Sequence, residues 1–347
     1  MIKKFLIVCT LIFSSCFSYG QQAYMAPLVK KSLLLDIAKS DFAIAVGERG
    51  HILKFELDDI ESIKQVPVPT RSLLTAIEHI ENDFYVVGHD ASILRSENSG
   101  DSWQLVYNNP ELDRPFLDVL FLSASEGLAV GAYGLFYRTL DGGETWQAEL
   151  HASVLNDEDI EYLESIKDDP AFYREELSYI LPHFNRIRKK GDKLLIAGEA
   201  GLLAESLDKG HTWQRLRIDY FGSFFDFIEL SHELQIAIGL RGHVFVRNNN
   251  SPWSSLNTCV TTSLNAIVPA SNGAYAVGNN GVVLHIDASK LENVAQTPQS
   301  QTQACVPHSA ISFIDNDISS SISDGIYEKN ILTLVTANGL KQIAVSL

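Results

Sequence analysis

Short apolar runs separated by glycine pairs recur along the chain and predict β-hairpins. The unit is two apolar residues, Gly, two variable residues, a second Gly (Ala91 in the second copy) and two more mostly apolar residues. The first glycine of the six clear copies is Gly47, Gly88, Gly131, Gly198, Gly239 and Gly278, and a weaker seventh copy covers 334–341. An apolar run supplies a buried strand, and glycine allows the positive φ of a tight reversal. Each copy therefore predicts two strands joined by a short turn.

A second apolar run precedes each hairpin and contains a polar residue. In five copies this residue lies thirteen positions before the first glycine, and it is Thr75, Asp118, Asn185, Asp226 and Asn265. In the last copy the corresponding run is 310–314. A fixed offset between two elements indicates a fixed structural unit, so the run predicts an inner strand ahead of each hairpin.

Three hairpins are followed by a turn motif that matches the Asp-box, or BNR repeat, with the pattern S/T-x-D/N-x-G-x-T/S-W. Its Asp or Asn side chain can accept backbone hydrogen bonds within its own turn, Gly permits a left-handed residue, and Trp packs between sheets. The residues concerned are Asn98, Gly100 and Trp103, then Asp141, Gly143 and Trp146, then Asp208, Gly210 and Trp213. Because the motif repeats from unit to unit, we interpret it as structural and not catalytic.

Together these elements predict an all-β fold, a seven-bladed β-propeller of four-stranded blades. The spacings of 41 and 43 residues between the first three hairpin glycines fit one blade each. One sheet cannot bury both of its faces alone, so the units must close into a ring. The last unit ends without a fourth strand, and we expect 22–29 to supply it, since an open ring would expose unpaired strand edges.

A helical insert is predicted between the third and fourth blades. The spacing between Gly131 and Gly198 is 67 residues, far more than one blade needs. The extra stretch, 152–181, is acidic and has apolar residues at three- and four-residue steps, which predicts one or two amphipathic helices separated at Pro170. A solvated decoration and a partner-binding insert are both open interpretations.

The N-terminus has the features of a secretory signal. Two lysines at positions 3 and 4 precede an apolar run over 5–13, and small residues end at Gly20. We expect 1–20 to be a signal peptide and 21–347 to form a single propeller domain in the periplasm. Cleavage before Cys16 would instead leave a lipid-anchored protein. No later segment is apolar for about eighteen residues, so the mature chain has no predicted membrane span.

The mature chain is strongly acidic and retains two cysteines. Without the two lysines of the signal it has 25 basic and 43 acidic residues, a net charge of −18. Such a charge repels phosphate backbones and disfavours nucleic-acid binding. Cys259 and Cys305 each precede a predicted inner strand, of the sixth and the seventh blade, and an exported protein retains disulfides. We expect this pair to be bonded.

No sequence pattern indicates catalysis. The histidines lack metal-site spacing, no phosphate-binding glycine loop leads into a helix, and no serine nucleophile elbow is present. We therefore predict no enzyme, no cofactor and no metal. The residues between paired glycines vary in charge and should emerge on one face of the ring, as in other repeat proteins that bind partners. This candidate binding face consists of Glu48, Arg49, His89, Asp90, Tyr133, Glu199, Arg241, Asn279 and Asn280.

The third unit, with the runs 117–121, 127–131 and 139–146, resembles the photosystem II stability/assembly factor-like family of BNR/Asp-box β-propellers. The resemblance covers the chain from about residue 24 to its end, and the family includes relatives in bacteria without photosystems. It implies an exported propeller that binds a protein partner and assists the assembly of a membrane protein complex. Asp-boxes also occur in sialidases and other exported glycosidases, so a carbohydrate-binding or glycosidase propeller is the alternative. A sialidase needs a cluster of three arginines for the substrate carboxylate, and the lead-in that carries the first of them is absent.

Overall fold

Seven antiparallel sheets form the blades of a β-propeller. The computed structural model describes residues 25–230, 234–248, 251–291 and 305–345. In these ranges six sheets have four strands and the seventh has three, and the strands of each sheet follow one another in chain order. Two α-helices lie between the third and fourth blades. The predicted fold class is confirmed.

Strands are given from inner to outer. The first blade contains β1 (Leu34–Lys39), β2 (Ala43–Gly47), β3 (Ile52–Glu56) and β4 (Asp59–Val66), and the second contains β5 (Leu74–Ile80), β6 (Asp83–Gly88), β7 (Ser92–Ser96) and β8 (Gln104–Tyr107). The third contains β9 (Phe116–Phe121), β10 (Gly127–Gly131), β11 (Phe136–Thr139) and β12 (Gln147–Ala148), and the fourth contains β13 (Phe184–Lys190), β14 (Lys193–Gly198), β15 (Leu203–Ser206) and β16 (Gln214–Arg215). The last three contain β17 (Phe224–Glu229), β18 (Gln235–Gly239), β19 (Val244–Arg247) and β20 (Ser254–Leu256); β21 (Leu264–Ala270), β22 (Gly273–Gly278), β23 (Val283–Asp287) and β24 (Ile311–Phe313); β25 (Ile322–Glu328), β26 (Ile331–Thr336) and β27 (Gly339–Ala344).

The core lies between the blades. The second strands β2, β10 and β18 are buried along their whole length, since neighbouring blades cover both of their faces. Ile44 and Val46 of the first blade pack against Phe84 and Val86 of the second. This arrangement explains why the second strands read as continuous apolar runs instead of alternating patterns.

The ring closes by face-to-face packing of the seventh blade on the first. Leu34 and Leu53 of the first blade share a buried cluster with Val335 and Leu340 of the seventh. The Gln342 side-chain amide also donates a hydrogen bond to the carbonyl oxygen of Leu57, at 2.8 Å. Packing of this kind needs no strand shared between the two ends of the chain.

The described part of the expected closing segment does not extend the seventh sheet. Residues 25–28 form no strand, and Val29–Lys31 form a short 3-10 helix that contacts β27, while 22–24 lie outside the described residues. The segment is held by the first blade, because the Ala26 amide donates to the Gln65 side chain at 2.9 Å and Lys30 pairs with Glu61 at 2.8 Å. The signal 1–20 and Cys16 also lie outside the described residues.

The run 310–314 completes the sixth blade and does not begin the seventh. β24 pairs antiparallel with β23, and Leu284 lies opposite Phe313. Only Ile311 of this strand is buried, as expected for an outer strand with one face in solvent. The expectation of an inner strand here was wrong, because the long connection before β24 displaces the outer strand along the sequence. The seventh inner strand is β25.

The Cys259–Cys305 disulfide therefore joins different points than the sequence suggested. The two Cα atoms are 5.7 Å apart. Cys259 lies in the connection from the fifth to the sixth blade, and Cys305 precedes β24, the outer strand of the sixth blade. The bond ties this outer strand to the neighbouring connection and does not hold the last blade.

The predicted insert forms two helices, α1 (Asp157–Ser165) and α2 (Pro170–Ile180). The Asn156 side chain caps α1, and the Asp169 side chain caps α2 one residue ahead of Pro170. Leu163 and Leu177 are buried in a cluster with Phe136 and Phe184 of the third and fourth blades. The insert is thus part of the hydrophobic core as well as of the surface.

Candidate functional site

The turns between the second and third strands of the blades all lie at one end of the ring, which we call the turn face. Register determines this position: in every blade the start of the inner strand lies opposite the end of the second strand, as Leu74 lies opposite Gly88. All nine residues of the candidate binding face are therefore on the turn face. Their role in binding stays a prediction, and their contacts differ with their position in the turn.

The second glycine of the turn, which Ala91 replaces in the second blade, packs against the loop that leads into the next blade. The Gly201 amide donates to the Gly222 carbonyl oxygen, and the Gly281 amide donates to the Ser320 carbonyl oxygen, both at 2.9 Å. Both glycines have positive φ, and a Cβ at either position would collide with the backbone of that loop. The glycine pair therefore joins neighbouring blades and is structural.

In three turns the first variable residue carries a polar side chain that is held by a polar contact. Glu48 accepts the Leu33 amide at 3.1 Å, and Asn279 accepts the Ser321 hydroxyl at 2.6 Å. The carboxylate of Glu199 lies 3.1 Å from His183 Nδ1. These three half-buried side chains tie each turn to the loop before an inner strand.

The second variable residue of the turn points into solvent. Arg49, Tyr133, Arg241 and Asn280 are exposed, and their φ values are 54°, 53°, 56° and 59°. Left-handed backbone costs a residue with a side chain about 1–2 kcal/mol. Neither arginine has a hydrogen-bond or ion-pair partner in the described part of the chain. Asp90 and Ala200 occupy the same position in the second and fourth blades, with φ values of 58° and 52°. Six blades thus present an exposed residue in left-handed backbone at the same point of the ring.

The remaining candidates are less uniform. In the second blade His89 and Asp90 are exposed, and Asp90 accepts a hydrogen bond from the Ser72 hydroxyl. In the third blade the Tyr133 ring lies edge-on to His183, with 4.4 Å between centroids, and the Arg114 guanidinium lies 5.5 Å from its centroid. Tyr133 is thereby held in place while 51% of it remains exposed.

A charged cluster at the centre of the ring was not predicted from the sequence. The Arg186 guanidinium lies 3.1 Å from Asp324, 3.6 Å from Asp36 and 3.9 Å from Asp118, nitrogen to oxygen. Arg188 forms a two-point ion pair with Asp226, at 3.1 and 2.6 Å. Asp118 and Asp226 belong to the polar positions that the sequence singled out, but their partners come from other blades. Two arginines in one inner strand were the available signal.

These aspartates also hold neighbouring inner strands together. The carboxylates of Asp36, Asp118 and Asp226 accept the backbone amides of Ile77, Ile187 and Ile267, each at 2.8 Å across a blade boundary. Burial raises the pKa of Asp118. Burial also acts to raise the pKa of Asp226, but the adjacent Arg188 and Arg186 outweigh it and hold the pKa below its ordinary value. The cluster is therefore structural.

A cavity of 620 Å³ extends from this cluster toward the end of the ring opposite the turn face. Glu78, Asp36, Asp118, Arg188 and Lys189 are among its lining residues. Burial, together with the neighbouring Asp118 and Asp36 carboxylates, raises the pKa of Glu78 to about 8. Glu78 has no hydrogen-bond or ion-pair partner within the described ranges. Among the described lining residues the cavity thus contains a carboxyl group without a partner, at Glu78.

The three turns that match the Asp-box pattern have internal hydrogen bonds. In the third blade the Gly143 amide donates to Thr139 Oγ1 at 2.8 Å, and the Thr145 amide donates to Asp141 Oδ1 at 2.9 Å. The hydrogen bonds from Thr145 lower the pKa of Asp141 to about 2. The Tyr85 hydroxyl of the second blade donates to the Gly142 carbonyl oxygen at 2.7 Å, so the turn joins two blades. Asn98 and Asp208 make the corresponding backbone contacts, and Trp103, Trp146 and Trp213 are buried between blades.

The described residues contain neither a metal-binding cluster nor a helix that could cross a membrane. No group of three or more His, Cys, Asp or Glu side chains in 25–230, 234–248, 251–291 and 305–345 is arranged to hold a metal ion. In the same ranges neither helix is long and apolar enough to cross a membrane.

The fold and the turn face define a seven-bladed β-propeller that presents variable side chains from successive blades on one surface. The sequence model of the photosynthesis system II assembly factor YCF48 matches residues 107–281, just over half of the chain. The chain belongs to this family. No curated protein matches it by sequence.

Solved structures share the fold at low sequence identity. YCF48 bound to a D1 peptide is 13% identical with a TM-score of 0.64, and the match covers 91% of this chain and 94% of that chain. YCF48 from Cyanidioschyzon merolae is 14% identical with a TM-score of 0.62, covering 91% and 96%. An ancestral GH74 enzyme is 11% identical with a TM-score of 0.61, covering 92% of this chain and 45% of that one. At these identities each likeness establishes the fold alone.

Proposed function

We propose that this chain is an exported, non-enzymatic propeller that binds a protein partner through its turn face and serves as an accessory or assembly factor for a membrane protein complex. The observation that carries the proposal is the repeated exposure of Arg49, Tyr133, Arg241 and Asn280 at positive φ. The same turn holds Ala200 in the fourth blade, so the turn fixes where the side chain emerges, and the side chain at that point varies from blade to blade as in other repeat proteins that bind partners. Arginine and tyrosine are also the residue types that dominate the energetics of protein interfaces.

Membership of the YCF48 family supports a protein partner. A YCF48 of the same fold has been solved with a D1 peptide bound. For this chain we retain the class of ligand, a segment of a protein, and not the identity of that peptide. Two exposed arginines without carboxylate partners favour a partner surface that carries acidic side chains.

Export is supported by the signal-like N-terminus and by the Cys259–Cys305 disulfide. Structural disulfides persist in oxidising compartments and are rare in the cytosol. Both a soluble form and a form anchored through Cys16 would be exported, so these two observations support either one.

The carbohydrate-active alternative is not favoured. Glycosidases of the usual kind need two carboxyl groups placed on either side of the scissile bond. Among the described residues at the centre of the ring, Asp36, Asp118 and Asp226 accept backbone amides, and Asp324 is paired with Arg186. Glu78 alone is unpaired there, and a single carboxyl cannot perform both steps.

The test compares capture of membrane proteins by three forms of the mature protein. Immobilised wild type, the double variant Arg49→Gly/Arg241→Gly and the matched control Ala200→Gly are incubated with detergent-solubilised membranes of the source organism. Ala200 occupies the same turn position with a φ of 52°, so its replacement relieves the same strain and removes no functional group. All three proteins should fold.

We expect the wild type and Ala200→Gly to enrich the same membrane protein complex and the arginine variant to lose it. Glycine tolerates positive φ, so lost binding cannot be attributed to unfolding. Equal enrichment of that complex by all three proteins would show that the turn face is not the docking surface. Hydrolysis of a glycan by the wild type would overturn the non-enzymatic assignment.

A further inference from the structure

The helices of the insert carry exposed aromatic side chains on one shared face. Tyr162, Phe172 and Tyr179 are 41%, 42% and 66% exposed. Phe172, Glu176 and Tyr179 lie at positions i, i+4 and i+7 of α2 and therefore on one side of the helix. The Tyr162 hydroxyl of α1 donates to the Glu176 carboxylate at 2.7 Å and joins the two helices. We call Tyr162, Phe172, Glu176 and Tyr179 the aromatic strip.

The exposed rings of the aromatic strip are not the side chains that attach the insert to the propeller. α2 attaches to the propeller through Leu177, Tyr173 and Ile180, and α1 attaches through Leu163 and through Ile166, the residue that follows the helix. Aromatic residues on the solvent side of a helix contribute little to core packing and have only moderate helix propensity. Several exposed aromatic rings on one side of an otherwise charged insert are a feature of interaction sites.

The surface around the strip is strongly acidic. The insert has nine acidic residues and two basic ones, a net charge of −7. Glu158, Glu161, Asp168 and Glu175 have no side-chain partner in the described part of the chain. Partnerless carboxylates beside exposed rings attract a cation by two mechanisms, because both ion pairing and the ring quadrupole favour positive charge.

The strip also adjoins the turn face. The Gly134 amide, one residue after Tyr133, donates to the Pro182 carbonyl oxygen at 2.9 Å, and Leu181 packs under this turn. Since α2 ends at Ile180, its last turn leads directly to the turn of the third blade. A partner that covers Tyr133 would therefore extend toward α2.

We propose that the aromatic strip docks a lysine- or arginine-bearing segment of the protein partner. The inference rests on the proposed function and specifies the chemistry of one part of the partner. The basic side chains of that segment stack on the rings of Phe172 and Tyr179, while their charges face the surrounding carboxylates.

The experiment uses the mature protein and defined peptides. Binding is measured by fluorescence anisotropy for a labelled peptide in which arginine alternates with serine, and for a peptide of the same length with glutamate in place of arginine. The test variant is Phe172→Ala/Tyr179→Ala, which leaves the net charge unchanged. The control is Phe313→Ala, which removes a ring that is 54% exposed on β24 of the sixth blade.

We expect the arginine peptide to bind the wild type and Phe313→Ala equally, and the double variant about five-fold more weakly, since each exposed cation–π contact contributes modestly. The glutamate peptide should not bind. Equal binding of the arginine peptide by the double variant and the wild type would overturn the inference, because attraction to net charge alone would then account for it. A single Tyr179→Ala variant with the same result as wild type would count equally against it if the double variant misfolds.

The membrane capture experiment separates this inference from the proposed function. If Phe172→Ala/Tyr179→Ala retains the complex that Arg49→Gly/Arg241→Gly loses, the turn face is supported and the aromatic strip is not. If both variants lose the complex, both proposals are supported. If neither loses it, both fail. Deleting 152–181 would be a poor substitute, because it would remove Leu163 and Leu177 from the core.

Discussion

Replacing Arg186 with Met should destabilise the propeller far more than any change at a surface ion pair. Arg186 is the cation shared by Asp324, Asp36 and Asp118, at 3.1, 3.6 and 3.9 Å. Removing one partner of a buried ion pair costs about 3–5 kcal/mol because the remaining charge is left unpaired. Two of these carboxylates cannot turn away, since each accepts a backbone amide of the neighbouring blade. We therefore expect a loss of about 3–5 kcal/mol in the free energy of unfolding.

The assay is urea unfolding followed by tryptophan fluorescence at pH 8 and pH 5. Burial raises the pKa values of Asp118 and Asp324, and the Arg186 charge acts to lower both. Without Arg186 these two pKa values rise further, so the folded state takes up protons more readily than the unfolded chain. The variant should then lose less stability at pH 5 than at pH 8. The matched control is Arg217→Met, because Arg217 pairs with Asp157 at 3.5 Å and both side chains are about nine-tenths exposed, at 94% and 89%. The control should change stability by less than about 0.5 kcal/mol.

A loss below about 1 kcal/mol at pH 8, or a loss equal to that of the control, would refute this reasoning. It would mean that the three carboxylates are neutral or solvated in the native ring. The central cluster would then not be the device that joins the inner strands.

Three further outcomes are expected. The pKa of Glu78 is raised from 4.5 to about 8 in the folded protein, so its contribution to stability is full below pH 4.5 and is lost as the pH rises toward 8. Glu78→Gln should therefore make the urea midpoint depend less on pH in that range. If the dependence is the same in the variant, Glu78 is not its source. Ala200→Gly should stabilise the fold by about 0.5 kcal/mol, because relief of about 1–2 kcal/mol of backbone strain exceeds the cost of about 0.4–1 kcal/mol that glycine adds through the entropy of the unfolded chain. A clear loss of stability in urea unfolding would show that this turn is not strained. Cys305→Ser opens a loop of 46 residues and should cost roughly 2–4 kcal/mol relative to the oxidised wild type. The reduced wild type is the control and should unfold at the same urea concentration as the variant; a variant as stable as the oxidised protein would show that the bond contributes no stability.

Much of the fold could be predicted from local sequence. The hairpins follow from apolar runs and glycine pairs, and the helices of the insert follow from their apolar spacing and from Pro170. Each of these signals acts within one blade or one helix. The prediction of an inner strand at 310–314 was wrong because inner and outer strands can have the same apolar pattern. Only its pairing with β23 identifies this run as an outer strand.

Of the candidate site, the sequence by itself determined which residues share the turn face, since strand register repeats from blade to blade. It did not distinguish Glu48, whose carboxylate is bound by a backbone amide, from Arg49, which is exposed. Tertiary structure alone decided the rest: closure of the ring brings Arg186 of the fourth blade to aspartates of the first, third and seventh. These ion-pair partners lie far apart in the chain. Because the burial and pairing of each side chain at the ring axis depend on several blades at once, local sequence patterns do not reveal them.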